Sequence, residues 1–379
     1  MHRQWRDVEN TPRAAARPAV GLGLAAAQAS QAPPRCAVII VNYNGRPYLE
    51  ACLSALCADA TPDTEIVVVD NASPDGSAGL VERAFPQVTL IRSPENLGFG
   101  AAANLAAQQT QGELLAFLNP DTVVEPGWLA TLARALQADG RAGLATPKIV
   151  MLDDPQRINT CGNDLHFSGL TLCRGLGAPR EAYREVSEVS AVSGAAFVVR
   201  RSLFEALGGF DESFFLYMED TDLSWRARLA GYTCLCVPQA VVRHDYRLRF
   251  GPRKVFYQER NRYQMWLKGW RWGTWLVMLP ALCLAEALTW GYVLLRQPRQ
   301  AGNKLRACAW IARHWPQILA RRRQAQALRR ASDRQLLAGC CWRLDYGQVD
   351  RGALGRLARA LLDPLWFVLH RAALALVRW

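Results

Sequence analysis

From residue 36 to residue 139, short apolar runs alternate with longer segments that are apolar along one side only. The runs are "CAVIIV" (36–41), "EIVVVD" (65–70), "VTLIRS" (88–93) and "ELLAFLN" (113–119). Their length and their Val and Ile content predict strands buried on both faces. The segments "PYLEACLSALCA", "SAGLVERAF", "GAAANLAAQQT" and "PGWLATLARALQAD" predict amphipathic helices. Strand and helix in alternation predict an α/β fold, a mostly parallel sheet with helices on both faces. Ligands of such sheets sit at the carboxyl ends of the strands. Those ends carry Asn42, Tyr43 and Asn44; Asp70 and Asn71; Pro94, Glu95 and Asn96; and Asn119, Pro120 and Asp121. Four polar clusters therefore converge on one edge.

Through residues 151–190 Gly, Asp and Pro break every run, and "VSAVSGAAFVVRRSLFEALGGF" then restores order. After it come "DESFFLYMEDTDLSWRARLAGY", with a helix expected from near Thr221, short strands near "TCLCVP" and "AVVRHDY", and a helix from about Arg253 to Trp270. Residues 273–295 are nearly uncharged and as a helix measure about 34 Å, enough to cross a bilayer. Pro280 and Glu286 oppose a crossing, since an acid at mid-membrane is costly. A single span, an interfacial helix and a protein-buried helix all remain open. The closing stretch "LARALLDPLWFVLHRAALALVRW" sets apolar residues beside Arg359, Arg371 and Arg378, a membrane-surface composition that a packed helical hairpin would also show. The expected division is a disordered leader over 1–34, a globular α/β domain over 35–270 and a helical, membrane-associated region over 271–379.

Half of the 379 residues are apolar, so a sizeable core can form and a disordered chain is excluded. The leader lacks period; its "AVGLGLAAA" is too Gly-broken for a signal peptide, and its formal G-x-G-x-x-A match (Gly21, Gly23, Ala26) follows no strand. The net charge of +12 suits nucleic acid, an anionic membrane or phosphorylated substrates. Basic residues are sparse over 36–150 and dense after 243. Aromatics there lie in apolar runs and do not alternate with Arg, and no nucleic-acid motif occurs, so nucleic acid is not an expected partner. Eleven unpatterned Cys, without a C-x-x-C pair, point to a reducing cytoplasm.

Four positions carry candidate chemistry. Asp70 ends a strand and precedes "NASPDGS", where an acid either binds a base or ribose or caps a helix. Asp121 follows Pro120, which releases the chain from the sheet; it either holds a hard divalent cation on a diphosphate or makes an Asx turn. Glu219, Asp220 and Asp222 are either helix-cap acids or, behind apolar "FFLYM", include a general base. His244 is either structural or a second metal ligand beside Asp121.

Taken together, "VIIVNYNG", "EIVVVDNASPDGS", "SPENLGFGAAANLA", "LLAFLNPDT", "SGAAFVVRRSLFEALGGFDESFFLYMEDTDLSWRARLAGY" and "VVRHDY" resemble glycosyltransferase family 2 in order and spacing. The nearest likeness is to its rhamnosyltransferase-like branch, over about residues 36–270. The resemblance implies a GT-A fold, a Rossmann-like fold for nucleotide-diphospho-sugar transfer, here with a C-terminal helical, membrane-associating extension. It implies inverting transfer from a nucleoside diphosphate sugar. On it, Tyr43 and Asp70 match base-binding positions and Asn96 with Gly98 a loop near ribose and diphosphate; Asn44, Asn71 and Asn119 are further nucleotide-sugar-binding positions. Asp121 matches the last acid of a D-x-D metal motif whose first acid is here Asn119, and His244 matches a histidine that reaches the metal. Asp220, with Glu219 beside it, matches the catalytic base.

The family's Q-x-x-R-W motif of processive members is missing, which implies addition of a single sugar or very few. The implied cofactor is a divalent cation, Mg or Mn. The implied partners are a dTDP- or UDP-linked donor and a glycan or glycolipid acceptor in bacterial surface polysaccharide synthesis. The implied place is the cytoplasmic side of the inner membrane, peripheral or single-span. The rival reading is a non-catalytic membrane-associated scaffold that keeps the fold. Neither the donor sugar nor the oligomeric state follows from the sequence.

Overall fold

A computed structural model describes residues 34–246, 253–348 and 352–379. The leader expected over 1–34 lies, but for Pro34, outside the described residues, as do its signal-peptide and G-x-G-x-x-A readings.

The first half runs β1 (Cys36–Asn42), α1 (Arg46–Asp59), β2 (Thr64–Asp70), α2 (Ser77–Ala84), β3 (Thr89–Arg92), α3 (Phe99–Gln108), β4 (Leu114–Leu118), β5 (Thr122–Val124), α4 (Trp128–Ala138) and β6 (Ala142–Met151). There follow β7 (Ile158–Thr160), β8 (Asn163–Leu165), β9 (Thr171–Cys173), β10 (Ser187–Val189), β11 (Ala196–Arg200), α5 (Arg201–Ala206), α6 (Glu219–Leu229), β12 (Thr233–His244) and α7 (Lys254–Gly269). The chain closes with α8 (Trp272–Arg296), α9 (Ala301–Arg313), α10 (Trp315–Ala327), α11 (Asp333–Ala338) and α12 (Ala353–Leu376).

The main sheet has the order β10-β12-β6-β11-β4-β1-β2-β3, with β5 added to β12 and β7 to β6. Strands β3, β2, β1 and β4 are parallel, each reached through a helix. The sheet beyond them is mixed, not mostly parallel: β11 lies antiparallel between β4 and β6. No crossover helix precedes β11. It follows the long irregular stretch after β6, so nothing imposes the handed parallel return of a strand-helix-strand unit.

All seven residues of β1 are buried, and alternation sends them to two cores. Val38 and Ile40 pack with Leu49, Leu53 and Leu132 of α1 and α4. Ala37 and Ile39 pack with Ala103 of α3, Phe204 of α5 and Leu223 of α6. The edge strand β3 departs from the both-faces expectation, since Thr89 and Arg92 are exposed. The two strands expected near residues 233–238 and 240–246 are one strand, β12, whose register against β6 shifts between Val237 and Val241. Pro238, which cannot donate to the ladder, falls inside that shift.

Helices α8, α11 and α12 share a third core with the sheet domain. Trp225, Trp266 and Trp270 meet Met278, Ala285, Leu337 and Trp366 there. Charges buried beside it are paired: Lys268 bridges Asp211 and Asp222 at 2.5 and 2.8 Å, and Lys304 reaches Glu259 and Glu286 at 2.9 and 3.1 Å. The eleven cysteines are free thiols.

Candidate active site

The carboxyl ends of β1, β2 and β4 form one rim, as parallel strands require. Asn42 and Asp70 are register partners at the tips of β1 and β2. Both are buried; Asn42 Nδ2 donates to Asp70 Oδ1 at 3.2 Å, to Ser73 Oγ at 3.1 Å and to Ser77 Oγ at 2.7 Å. Ser73 N–H donates to Asp70 Oδ2 at 3.3 Å. Asp70 thus shapes the β2–α2 loop and does not cap α2, whose cap is Gly76 in a left-handed conformation. Tyr43 stands 51% exposed at the mouth, beside exposed Asn44, whose N–H donates to Ser73 Oγ at 3.1 Å.

A second group braces the loop before α3. Asn71 Nδ2 donates to Asn96 Oδ1 and to the Gly98 carbonyl, at 3.1 and 3.2 Å, while Asn71 Oδ1 accepts from Leu97 N–H at 2.9 Å. Gly98 has φ +80°, and a Cβ there would lie 2.5 Å from the Phe215 carbonyl oxygen, so only glycine lets the loop approach. Phe99 N–H donates to that same carbonyl at 2.7 Å. Phe215, Tyr217 and Met218 all have positive φ, a strained run leading into α6.

At the tip of β4, the antiparallel register of β5 with β12 sets Thr122 opposite His244. Asp121 precedes Thr122, so the ladder carries the imidazole to the carboxylate: His244 Nε2 lies 3.5 Å from Asp121 Oδ1. That oxygen is buried and accepts no hydrogen bond among the described residues, which argues against an Asx turn. His244 Nδ1 lies 2.9 Å from Oδ1 of buried Asn159. An acceptor at Nδ1 fixes the proton there and leaves Nε2 with a free lone pair beside Asp121. One orphaned carboxylate oxygen and one imidazole nitrogen fit a divalent cation that takes its remaining ligands from a diphosphate and water. Among the described residues no cluster of three or more His, Cys, Asp or Glu could hold a metal. Asn119, a neutral amide, adds no charge; its N–H donates to the Ala195 carbonyl at 2.9 Å.

The three acids of α6, which begins at Glu219 and not at Thr221, part company. Asp222 is neutralised by Arg226 at 2.7 Å and by Lys268. Asp220 accepts from neutral donors: Gly194 N to Oδ2 at 2.7 Å, Thr221 N and Oγ1 to Oδ1 at 2.7 and 3.2 Å, and Asn163 Nδ2 to Oδ2 at 3.4 Å. Burial pushes the Asp220 carboxyl upward against the lowering effect of those donors. Burial, and then the charge of Asp220, push Glu219 up to about 8, and Glu219 Oε2 is buried without a hydrogen-bond partner. Gly194 and Ala195 hold Asp220 and Asn119 respectively, so one short segment ties the acid to the β4 tip.

The structure therefore joins Asp70 to Asn42, Asn71 to Asn96 and Gly98, and Asp121 to His244, while Tyr43 and Asn44 flank the mouth. Asn42 was placed at a strand tip from sequence, whereas Asn159, Asn163 and Gly194 were not singled out. The last three lie in or after the broken stretch 151–190, where no periodic pattern marks them. Lys254, half-buried with its Nζ 5.3 Å from the Tyr217 ring centroid, is a cation near this pocket that the sequence also left unmarked.

A parallel α/β half, a mixed half and carboxylates at their junction make a fold of the GT-A type. Comparison with known proteins agrees: a computed match to the solved structure of GalNAc-T7 with UDP, GalNAc and Mn2+ has TM-score 0.52 and 21% identity, covering 62% of this chain and 48% of that one. The family model Glycosyl transferase family 2 matches residues 37–208. N-acetylglucosaminyl-diphospho-decaprenol L-rhamnosyltransferase of Mycobacterium tuberculosis is 33% identical over 233 residues, 55% of this chain and 75% of that protein. An O-antigen biosynthesis protein of Myxococcus xanthus is 28% identical over 242 residues, 60% of this chain and 19% of its own length. The chain belongs to glycosyltransferase family 2, and the rhamnosyltransferase-like branch fits these relatives.

Proposed function

We propose that this glycosyltransferase moves a single sugar, a deoxyhexose such as rhamnose, with inversion. The donor is a dTDP- or UDP-activated sugar, and the acceptor is a lipid-linked or growing glycan of surface polysaccharide synthesis at the cytoplasmic membrane face. The name of the mycobacterial relative, which specifies rhamnosyl transfer to a polyprenol-linked sugar, supports the substrate class.

Asp220 is the base. Its neutral donors favour the ionised form and no cation pairs with it among the described residues, and its carboxylate takes the acceptor proton as the acceptor oxygen bonds to the anomeric carbon. The bond from that carbon to the nucleoside diphosphate breaks in the same step, and its electron pair leaves with the diphosphate. No covalent intermediate forms, so the configuration inverts. Tyr43 and Asp70 hold the base of the donor with Asn44 and Asn71 beside them, and Asn96, Gly98 and Asn119 line its ribose and diphosphate. A divalent cation, Mg or Mn, held by Asp121 and His244 would offset charge on the leaving diphosphate. Glu219, uncharged near neutral pH, keeps a second negative charge away from Asp220. The transferring unit is residues 35–270.

The observation that carries this reading is the separation of the α6 acids: Asp222 is paired with cations, and Asp220 is poised on neutral N–H and O–H donors. The test is a panel of nucleotide sugars with a polyprenyl-diphosphate-linked acceptor, following nucleoside diphosphate release and product configuration. Transfer with inversion from one donor, lost in Asp220→Asn, is the expected result. Equal behaviour of wild type and variant with every donor would point to the non-catalytic scaffold.

A further inference from the structure

Helix α8 is exposed along one stripe and buried along the opposite one. Trp272, Leu276, Leu279, Cys283, Ala287 and Leu294 are exposed, spaced three, four or seven apart, and none is charged. The facing stripe, with Thr274, Met278, Ala281 and Ala285, is packed into the tryptophan core. A surface helix ordinarily turns its polar side outward, so this pattern is inverted. Helix α12 does the same: Leu361 is 64% and Val368 58% exposed, on the stripe that also holds Leu357 and Leu365, while Trp366, Ala373 and Val377 are buried. The two helices meet, since Trp379 Nε1, just past α12, donates to Thr274 Oγ1 at 2.9 Å.

Exposed arginines accompany the α12 stripe in fixed relation. Arg356 and Arg371 each precede a stripe position, Leu357 and Ala372, by one residue. They therefore stand about 100° round the helix, on its flank. Apolar residues outward and guanidinium groups alongside match a bilayer interface, with the acyl region taking the stripe and anionic headgroups taking the row.

The buried side of α8 decides between crossing the membrane and lying on it. Glu286 pairs with Arg262 of α7 and with Lys304 of α9, and Tyr263 donates to Glu286 at 2.9 Å. An α8 that spanned the bilayer would draw those charged partners, and the core it shares with α7, into hydrocarbon. We infer that the chain binds a membrane monotopically, with the exposed stripes of α8 and α12 seated in an anionic bilayer surface and neither helix crossing it. This deepens the membrane-face part of the proposed function, and its test uses no substrate, so it can fail while transfer stands.

The experiment is flotation of the full chain with vesicles of equal parts phosphatidylcholine and phosphatidylglycerol, and with phosphatidylcholine alone. Binding to the anionic vesicles, roughly tenfold stronger than to the neutral ones and released by alkaline carbonate, is expected. Leu276→Glu with Leu279→Glu, and separately Leu361→Glu with Val368→Glu, should each weaken binding by roughly tenfold or more. Circular dichroism and thermal melting of each variant establish that it folds, and Leu361→Ala with Val368→Ala gives a milder arm with the same direction of change. Resistance to carbonate would overturn the inference in favour of a span. Unchanged flotation of the Glu variants would overturn it too; if they also lost a dimer seen by sedimentation, the stripes would be an interface between copies.

Discussion

Nε2 of His244 lies 3.5 Å from Oδ1 of Asp121, on adjoining strands whose ladder sets the residue after Asp121 opposite the histidine. The carboxylate oxygen is buried and without a hydrogen-bond partner, so the pair has its unshared electrons facing a common space. Mn2+ binding, read by the loss of the free-ion electron paramagnetic resonance signal, should weaken severely in Asp121→Asn. Transfer should fall on the order of a hundredfold to a thousandfold in the same variant.

Asn159 acts on the metal only through the ring. Its Oδ1 lies 2.9 Å from His244 Nδ1 and sets which nitrogen carries the proton. Asn159→Ala should cost about tenfold to a hundredfold in Mn2+ affinity while leaving donor binding without metal unchanged. Nitrogen NMR of the metal-free protein should show His244 as the Nδ1-protonated tautomer in the wild type and a mixture in the variant. A single unchanged tautomer would remove Asn159 from this role.

The pH profile reports Asp220. The base works ionised, and burial raises its carboxyl, so kcat should fall as pH drops through a value above the usual carboxylate range. Asn163 Nδ2, 3.4 Å from Oδ2, favours the ionised form. Asn163→Ala should therefore move the acidic limb to higher pH, with the plateau rate at alkaline pH much less affected. A limb that stays in place would show that Asn163 does not act on this carboxylate.

Gly98 and Gly127 share a positive φ, +80° and +77°, but differ in surroundings. A Cβ at Gly98 meets the Phe215 carbonyl at 2.5 Å, whereas one at Gly127 meets nothing within 4 Å. Gly127→Ala should cost about 1–2 kcal/mol in thermal or denaturant unfolding, the backbone cost alone. Gly98→Ala should cost more and should raise the KM for the donor, because the loop bearing Asn96 must shift. Equal stability losses would mean that the close approach carries no weight.

The parallel half of the fold was legible because its strands are short apolar runs alternating with one-sided helices. "CAVIIV" and "EIVVVD" became β1 and β2 nearly residue for residue. The mixed half was not, since β7, β8, β9 and β10 are three residues each, too short to establish a period. The start of α6 was misplaced by two residues because Met218 adopts a left-handed conformation that its residue type does not advertise. At the site, the acids Asp121 and Asp220 stood out by type and position. Their partners Asn159, Asn163 and Gly194 did not, because a neutral amide or a glycine in a loop carries no sequence signal until the fold brings it within bonding distance.

The most direct test of the account is single-turnover transfer by Asp220→Asn. With the donor and the polyprenyl-linked acceptor both saturating, the variant should lose at least about a thousandfold in rate, from loss of the base at an otherwise intact site. Its Kd for the donor and its Mn2+ affinity should match those of the wild type. Transfer by Asp220→Asn at the wild-type rate would contradict the assignment of Asp220 as the base.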